Sequence, residues 1–280
     1  MFHEFKEIIK KAILHQEKGL KNVLVTVVDL EGSSYRKPGV RMLISEDKKM
    51  VGAVSGGCVE KEILQRSTTV FRDQKAKIIT YDGRYRLGCE GILYILMEPF
   101  FVSSKFISRF SIATQNRESL KIKSTFVKED EKYGNFKTEI EFEDKQQFSF
   151  HNLLSENTED KLQTFKQLLK PSFRLLIIGA EHDAVKLCQM ASLVGWQVDV
   201  FTSIKDTKNI SYFSGANTVT SESPETIDFS DIDSNTGIII MNHSYVQDLK
   251  YLLRLVNKNP AYLGILGATK RRNKMFNELF

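Results

Sequence analysis

Residues 173–201 read FRLLIIGAEHDAVKLCQMASLVGWQVDVF, and on them the fold turns. Phe173 to Ile178 is a short apolar run interrupted only by Arg174, the pattern of a buried strand. Gly179-Ala180 makes a turn, Glu181 to Val194 carries the longer period of a helix, and Gln197 to Phe201 returns as a strand. The alternation continues with a strand at Thr236 to Met241, a helix at Val246 to Val256 and a strand at Tyr262 to Leu266. Strands and helices at this spacing predict a Rossmann-like parallel sheet over residues 171–280.

Working outward, Pro171 marks the boundary with a first domain, residues 1–170, that reads as mixed α/β. It opens with an amphipathic helix carrying Phe2, Phe5, Ile9, Ala12 and Ile13 on one face. Strands are expected at Asn22 to Leu30, Arg41 to Ser45, Lys49 to Val54, Ala76 to Tyr81 and Ile92 to Glu98, with a helix at Val59 to Phe71. From Phe100 to His151 the alternation in SLKIKSTFV and FKTEIEFE predicts an antiparallel meander, and Thr158 to Leu169 has helical spacing. The whole is an α/β chain with two domains, as 280 residues suggest.

Composition narrows the function classes. The net charge of +5 is spread among interleaved lysines and glutamates, so no nucleic-acid-binding stripe is expected. The first twenty residues lack the apolar core and cleavage site of a signal peptide, and no run is long enough to span a bilayer; a cytoplasmic protein is expected. Cys58, Cys89 and Cys188 form no Cys-x-x-Cys pair and are expected to be free thiols rather than a disulfide framework or zinc site.

Several positions can carry chemistry, each with a plainer alternative. Cys58 follows Gly56-Gly57 at the entry to a helix, where unpaired amides and the helix dipole favour a thiolate; the alternative is a small buried hydrophobe. Glu60 reads as a site carboxylate or a first-turn charge. The loop Gly32-Ser33-Ser34-Tyr35-Arg36-Lys37-Pro38-Gly39 combines hydroxyls and cations suited to a phosphate, or is a turn. Gly88-Cys89-Glu90-Gly91 repeats the theme of cysteine among glycines. Met241-Asn242-His243-Ser244 ends a strand, with His243 and Asp248 as an acid/base or orienting pair, or with Asn242 or Ser244 as a helix cap. In Gly179-Ala180-Glu181-His182-Asp183-Ala184, Glu181 stands where the dinucleotide fingerprint needs its second glycine, and Thr202 where an acidic residue would bind a ribose hydroxyl. Two requirements for NAD(P) are missing.

Taken in order, GSSYRKPGVRML, VSGGCVEKEIL, LGCEGILYILMEP, RLLIIGAEHDAV, LVGWQVDVF, IIIMNHSYVQDL and YLGILGATKRR resemble the xanthine dehydrogenase accessory family, XdhC/CoxI. That resemblance implies a molybdenum cofactor-binding maturation factor for a xanthine dehydrogenase or related molybdenum hydroxylase, closer to a chaperone than to a catalyst. It places Gly56, Gly57, Cys58 and Glu60 in the family's cysteine motif and Cys89 in its second glycine-cysteine segment. With these, Ser33, Ser34, Arg41, Gly179, His182, His243 and Asp248 make up the candidate cofactor-binding set, and Cys58 is the candidate contact to molybdenum through bound cofactor. The implied partners are an apo molybdenum hydroxylase and a sulfurase, with a homodimer as the prior assembly. Against the family's pattern the chain stops early, at Phe280, which implies a second domain lacking part of its site. The competing readings are an NAD(P)-dependent oxidoreductase using His243, and a structural partner protein with buried cysteines.

Overall fold

The computed structural model describes residues 1–55, 57–85, 91–151 and 162–279, in two compact units, Met1–Pro171 and Ser172–Phe280. In the first, α1 (Phe2–Glu17) precedes β1 (Asn22–Glu31), β2 (Arg41–Ser45) and β3 (Met50–Gly52). The short helices α2 (Cys58–Arg66) and α3 (Thr68–Asp73) lead to β4 (Ala76–Asp82), β5 (Ile92–Pro99) and α4 (Ser104–Gln115). The unit closes with β6 (Leu120–Phe126), β7 (Lys132–Gly134), β8 (Lys137–Glu141), β9 (Gln147–Ser149) and β10 (Gln163–Leu169).

These strands form two antiparallel sheets, one ordered β3-β2-β1-β5-β4-β7 and one ordered β10-β6-β8-β9. Central strand β1 is buried over its first seven residues, which explains its run of valines. Because side chains alternate along a strand, Val23, Val25 and Val27 pack with Val59, Ile63 and Val70 of α2 and α3. Leu24 instead joins Phe2, Phe5 and Ile8 of α1, Phe106 of α4 and Ile122 of the second sheet. The larger sheet is thus covered on both faces.

Three expectations need correction. Residues 163–169 are strand, not helix: all seven pair with β6, and Leu168, which a helical stripe would bury, is 53% exposed. Of the remainder of that predicted helix, 158–161 lie outside the described residues and Leu162 is in neither helix nor strand. The meander is preceded by α4, capped where Ser103 Oγ accepts from Phe106 N at 3.2 Å. The helix expected at Val59 to Phe71 is split at Ser67, whose hydroxyl donates back to Leu64 O at 2.8 Å.

The second unit runs β11 (Arg174–Ile178), α5 (His182–Leu193), β12 (Gln197–Thr202), β13 (Thr218–Ser221), β14 (Thr236–Ile240), α6 (Tyr245–Leu255), β15 (Tyr262–Ile265) and α7 (Thr269–Leu279). Its sheet is parallel, ordered β13-β12-β11-β14-β15, so the direction of winding reverses between β11 and β14. This is the Rossmann-like sheet the strand–helix alternation predicts. Among the described residues no helix is long and apolar enough to cross a membrane.

Candidate functional site

The larger antiparallel sheet sends three loops off one edge. β1 ends at Glu31 and β4 at Asp82, both beside Ile92, and β3 ends at Gly52 beside Met42. The described residues 32–40, 53–55, 57 and 83–85 therefore leave the sheet on the same side, carrying Ser33, Ser34, Gly57 and the start of α2. A Cβ added at Gly91 would stand 2.5 Å from Ser33 O, so the chain entering β5 lies directly against the first loop. Ser33 is exposed and Ser34 half-buried. Gly56, Cys89 and the side chain of Cys58 lie outside the described residues.

The turn before Cys58 is shaped by a pair of side chains. Glu60, 7% exposed, folds back to accept from Ser55 N at 2.7 Å, Ser55 Oγ at 2.7 Å and Val54 N at 3.2 Å. Ser55 Oγ in turn accepts from Gly57 N at 3.3 Å and Val59 N at 3.4 Å. Burial raises the Glu60 pKa, but the hydrogen bonds from Ser55 and the surrounding amides outweigh it and leave the carboxyl below its ordinary value. Its oxygens are occupied by the turn, so Glu60 positions the loop instead of presenting a free carboxylate. Gly57 has φ of 111°, in the left-handed region, with nothing within 4 Å of an added Cβ. Glycine is needed there for its backbone, and it leaves open space at the mouth of the turn.

Arg41 begins β2 at this same edge, but its side chain does not face the loops. It shares a face of β2 with Leu43, on the α1 side of the sheet, and is 7% exposed. Its guanidinium lies 5.6 Å from the Phe5 ring and donates to Gly39 O at 2.9 Å and Gln167 Oε1 at 2.7 Å. Burial pushes its pKa down to about 10, so it stays charged at neutral pH inside the unit. Strand alternation is the reason: Met42 and Ile44, its neighbours on the other face, are the residues that pack toward α2.

In the parallel sheet, the reversal point between β11 and β14 gathers the remaining candidates, as open α/β sheets do at the carboxyl ends of their strands. Gly179, φ 139°, passes so close to β14 that a Cβ would stand 2.5 Å from Met241 O. Glu181 and His182 are exposed at the start of α5. His243 also has a left-handed backbone, φ 57°, and its Nε2 lies 3.2 Å from Asp183 Oδ2. Asp248, fully buried, accepts from Asn242 Nδ2 at 3.2 Å and from Arg271 at 2.6 Å. The expected His243–Asp248 pair is therefore replaced by two others, His243 with Asp183 and Asp248 with Arg271. The acidic partner of His243 comes from the first turn of α5, a non-local contact no spacing rule reports.

Thr202 is fully buried and its hydroxyl bonds Ser221 Oγ at 2.7 Å, joining β12 to β13. It is engaged where a dinucleotide's ribose would need a free acidic group. Cys188 sits in the core of this unit, and burial pushes its thiol pKa up. Among the described residues no group of three His, Cys, Asp or Glu is placed to hold a metal ion.

Sequence comparison matches residues 15–82 to the XdhC and CoxI family and residues 175–280 to the XdhC Rossmann domain. A relative from Bacillus subtilis (strain 168), described as a probable xanthine dehydrogenase subunit, is 26% identical over 91% of this chain and 82% of its own. The "Molybdenum cofactor insertion chaperone PaoD" of Escherichia coli (strain K12) is 21% identical over 99% of this chain and 76% of its own. A crystal structure described as a xanthine dehydrogenase from Bacillus halodurans superposes with a TM-score of 0.76 at 24% identity, covering 96% of this chain and 84% of that one.

Proposed function

The chain belongs to the XdhC and CoxI family, and on that premise we propose that it is a maturation factor that binds the molybdenum cofactor and delivers it to an apo molybdenum hydroxylase. The observation that carries the reading is that strands β1, β3 and β4 all end on the same side of one sheet, where the described parts of the loops that follow them begin. Similarity to a cofactor insertion chaperone supports the role of carrier.

The cofactor, when bound, would supply a sulfur-ligated molybdenum and a phosphate, chemistry that suits a soft thiolate and exposed hydroxyls or amides respectively. Cys58 and Cys89 are the thiols for the first; Ser33, Ser34, Gly56 and Gly57 are the groups for the second. Among the described residues nothing lies within 4 Å of a Cβ at Gly57, which leaves room beside the start of α2. Ser55 and Glu60 hold the turn in shape so that the start of α2 is presented to that space. A sulfurase as a second partner and a homodimer as the assembly belong to the same reading.

The test is anaerobic incubation of the protein with molybdopterin cofactor, desalting, and assay of retained molybdenum and pterin. Near-stoichiometric retention is expected, with a loss of at least tenfold in Cys58→Ala at unchanged far-UV circular dichroism. Equal retention by the two forms removes Cys58 from the site.

A further inference from the structure

In the second unit, α5 carries its larger apolar side chains on the outside. Toward the sheet it presents Ala184, Cys188 and Ala191, buried together with Val198 and Val200 of β12. On the outer side Met190, Leu193 and Val194, spaced three and four residues from Met190 and so on one face, are 67%, 84% and 69% exposed. A surface helix ordinarily has the reverse arrangement, and a helix apolar on both sides is one that is covered on both.

The face continues past the helix. Trp196 follows it, 41% exposed, its backbone N donating to Ala191 O at 3.1 Å. The loop after β12 runs alongside: a Cβ added at Gly215 would overlap Ser192 Oγ, and Phe213 is buried with Cys188 and Ala191, while Ile210 and Tyr212 stay 55% and 56% exposed. At roughly 60–120 Å² for a whole aliphatic side chain and 150–250 Å² for an aromatic one, the exposed parts of these six residues come to roughly 300–600 Å². A standard interface takes about 800 Å² from each partner, and in homodimers about 65% of it is apolar, so the face supplies about the apolar share of one half. Asp183 and Lys186, exposed on the N-terminal half of the same helix face, provide a polar rim.

We infer that this face is the contact between two copies of the chain, α5 packing on α5 of the second copy about a two-fold axis. Such a contact sets one patch against itself, so an apolar face is covered without a complementary surface elsewhere. Interfaces between partners that must separate are about as apolar as ordinary protein surface, whereas permanent homodimer interfaces are richer in apolar area. A client that leaves after receiving its cofactor belongs to the first class, and this face belongs to the second. The inference specifies the surface of the homodimer named above and rests on no property of the Cys58 site.

The experiment is sedimentation velocity of the full chain from about 1 to 100 µM, where a dimer of micromolar or lower Kd is expected. Met190→Glu and Leu193→Glu, both at exposed positions, should each raise that Kd at least tenfold with far-UV circular dichroism unchanged. Trp196 is the single tryptophan, so its emission should move to shorter wavelength as concentration drives association, and stay in place in the two variants. A monomer throughout the range overturns the inference. So does a dimer whose Kd ignores both substitutions, or one that forms with Trp196 emission unmoved, since either puts the contact on another surface. The molybdenum retention assay reads the other proposal separately: a monomer that retains cofactor removes the interface and leaves the carrier, and a dimer without retention does the reverse.

Discussion

Glu60 shows how much a single carboxylate can hide from sequence reading. Its position in the first turn of α2 makes it equally a ligand or a dipole partner, and the structure gives it a third task, holding Val54 and Ser55. That task depends on the backbone path of the turn, which composition does not encode. Because its folded pKa is depressed, Glu60 contributes stability that is fully present above the ordinary carboxylate value of about 4.3 and is lost as pH falls through the folded value. Glu60→Gln should therefore flatten the acid limb of a stability-against-pH curve, measured by urea unfolding between neutral pH and the acid transition. An unchanged acid limb would mean that the carboxyl has the same pKa folded as unfolded. Arg41 is the opposite case: it stands in a loop-and-strand segment that looks ligand-facing, and only the parity of β2 sends it inward.

At the scale of elements, the parallel sheet was legible because four of its five strands and two of its three helices carry their own period, β13 and α7 going unread, whereas β10 was misread. Leu162, Phe165, Leu168 and Leu169 fit a helical stripe as well as a strand, and the decision came from a ladder with β6, some forty residues upstream. Non-local pairing overrides local period in this way wherever one strand waits for a partner. The missed helix α4 brings Phe106 into a cluster with Phe110, Phe142, Phe148 and Phe150, at centroid distances of 5.5, 5.9, 5.5 and 5.3 Å. Phe106→Ala should cost about 3–5 kcal/mol of unfolding free energy, read as a lowered denaturation midpoint. In the second unit, Arg174 of β11 bonds Asp199 of β12 at 2.7 Å and Asp231 at 2.7 Å, while Asn217 and Thr218 also donate to Asp199, at 2.8 and 2.7 Å. Burial opposes ionisation of Asp199, but these donors win and hold its carboxyl below the usual range. Asp199→Ala leaves Arg174 half-partnered in the interior, and a loss of about 3–5 kcal/mol is expected. The single tryptophan, Trp196, packs 4.8 Å from Phe173 in that unit, so its fluorescence follows the transition there. A midpoint unmoved in Asp199→Ala would show that the network contributes nothing net.

For the molecule as a whole, the order of segments in the sequence already points to the family, and the structure adds where those segments meet. The strand ends that precede the glycine-cysteine segments fall on one side of the sheet through its register, the Rossmann candidates come together through the reversal of winding, and neither follows from distance along the chain. His243 is the sharpest instance, facing Asp183 from sixty residues away. In the first unit, β1 is ten residues long and runs from one end of the sheet at Asn22 to the loop end at Glu31. At about 3.3 Å of rise per residue it holds the two ends roughly 30 Å apart, several times the Debye length of about 8 Å at physiological ionic strength. Charge arriving through solvent at one end is screened before it reaches the other, so any communication between the two ends has to travel mechanically, along the strand.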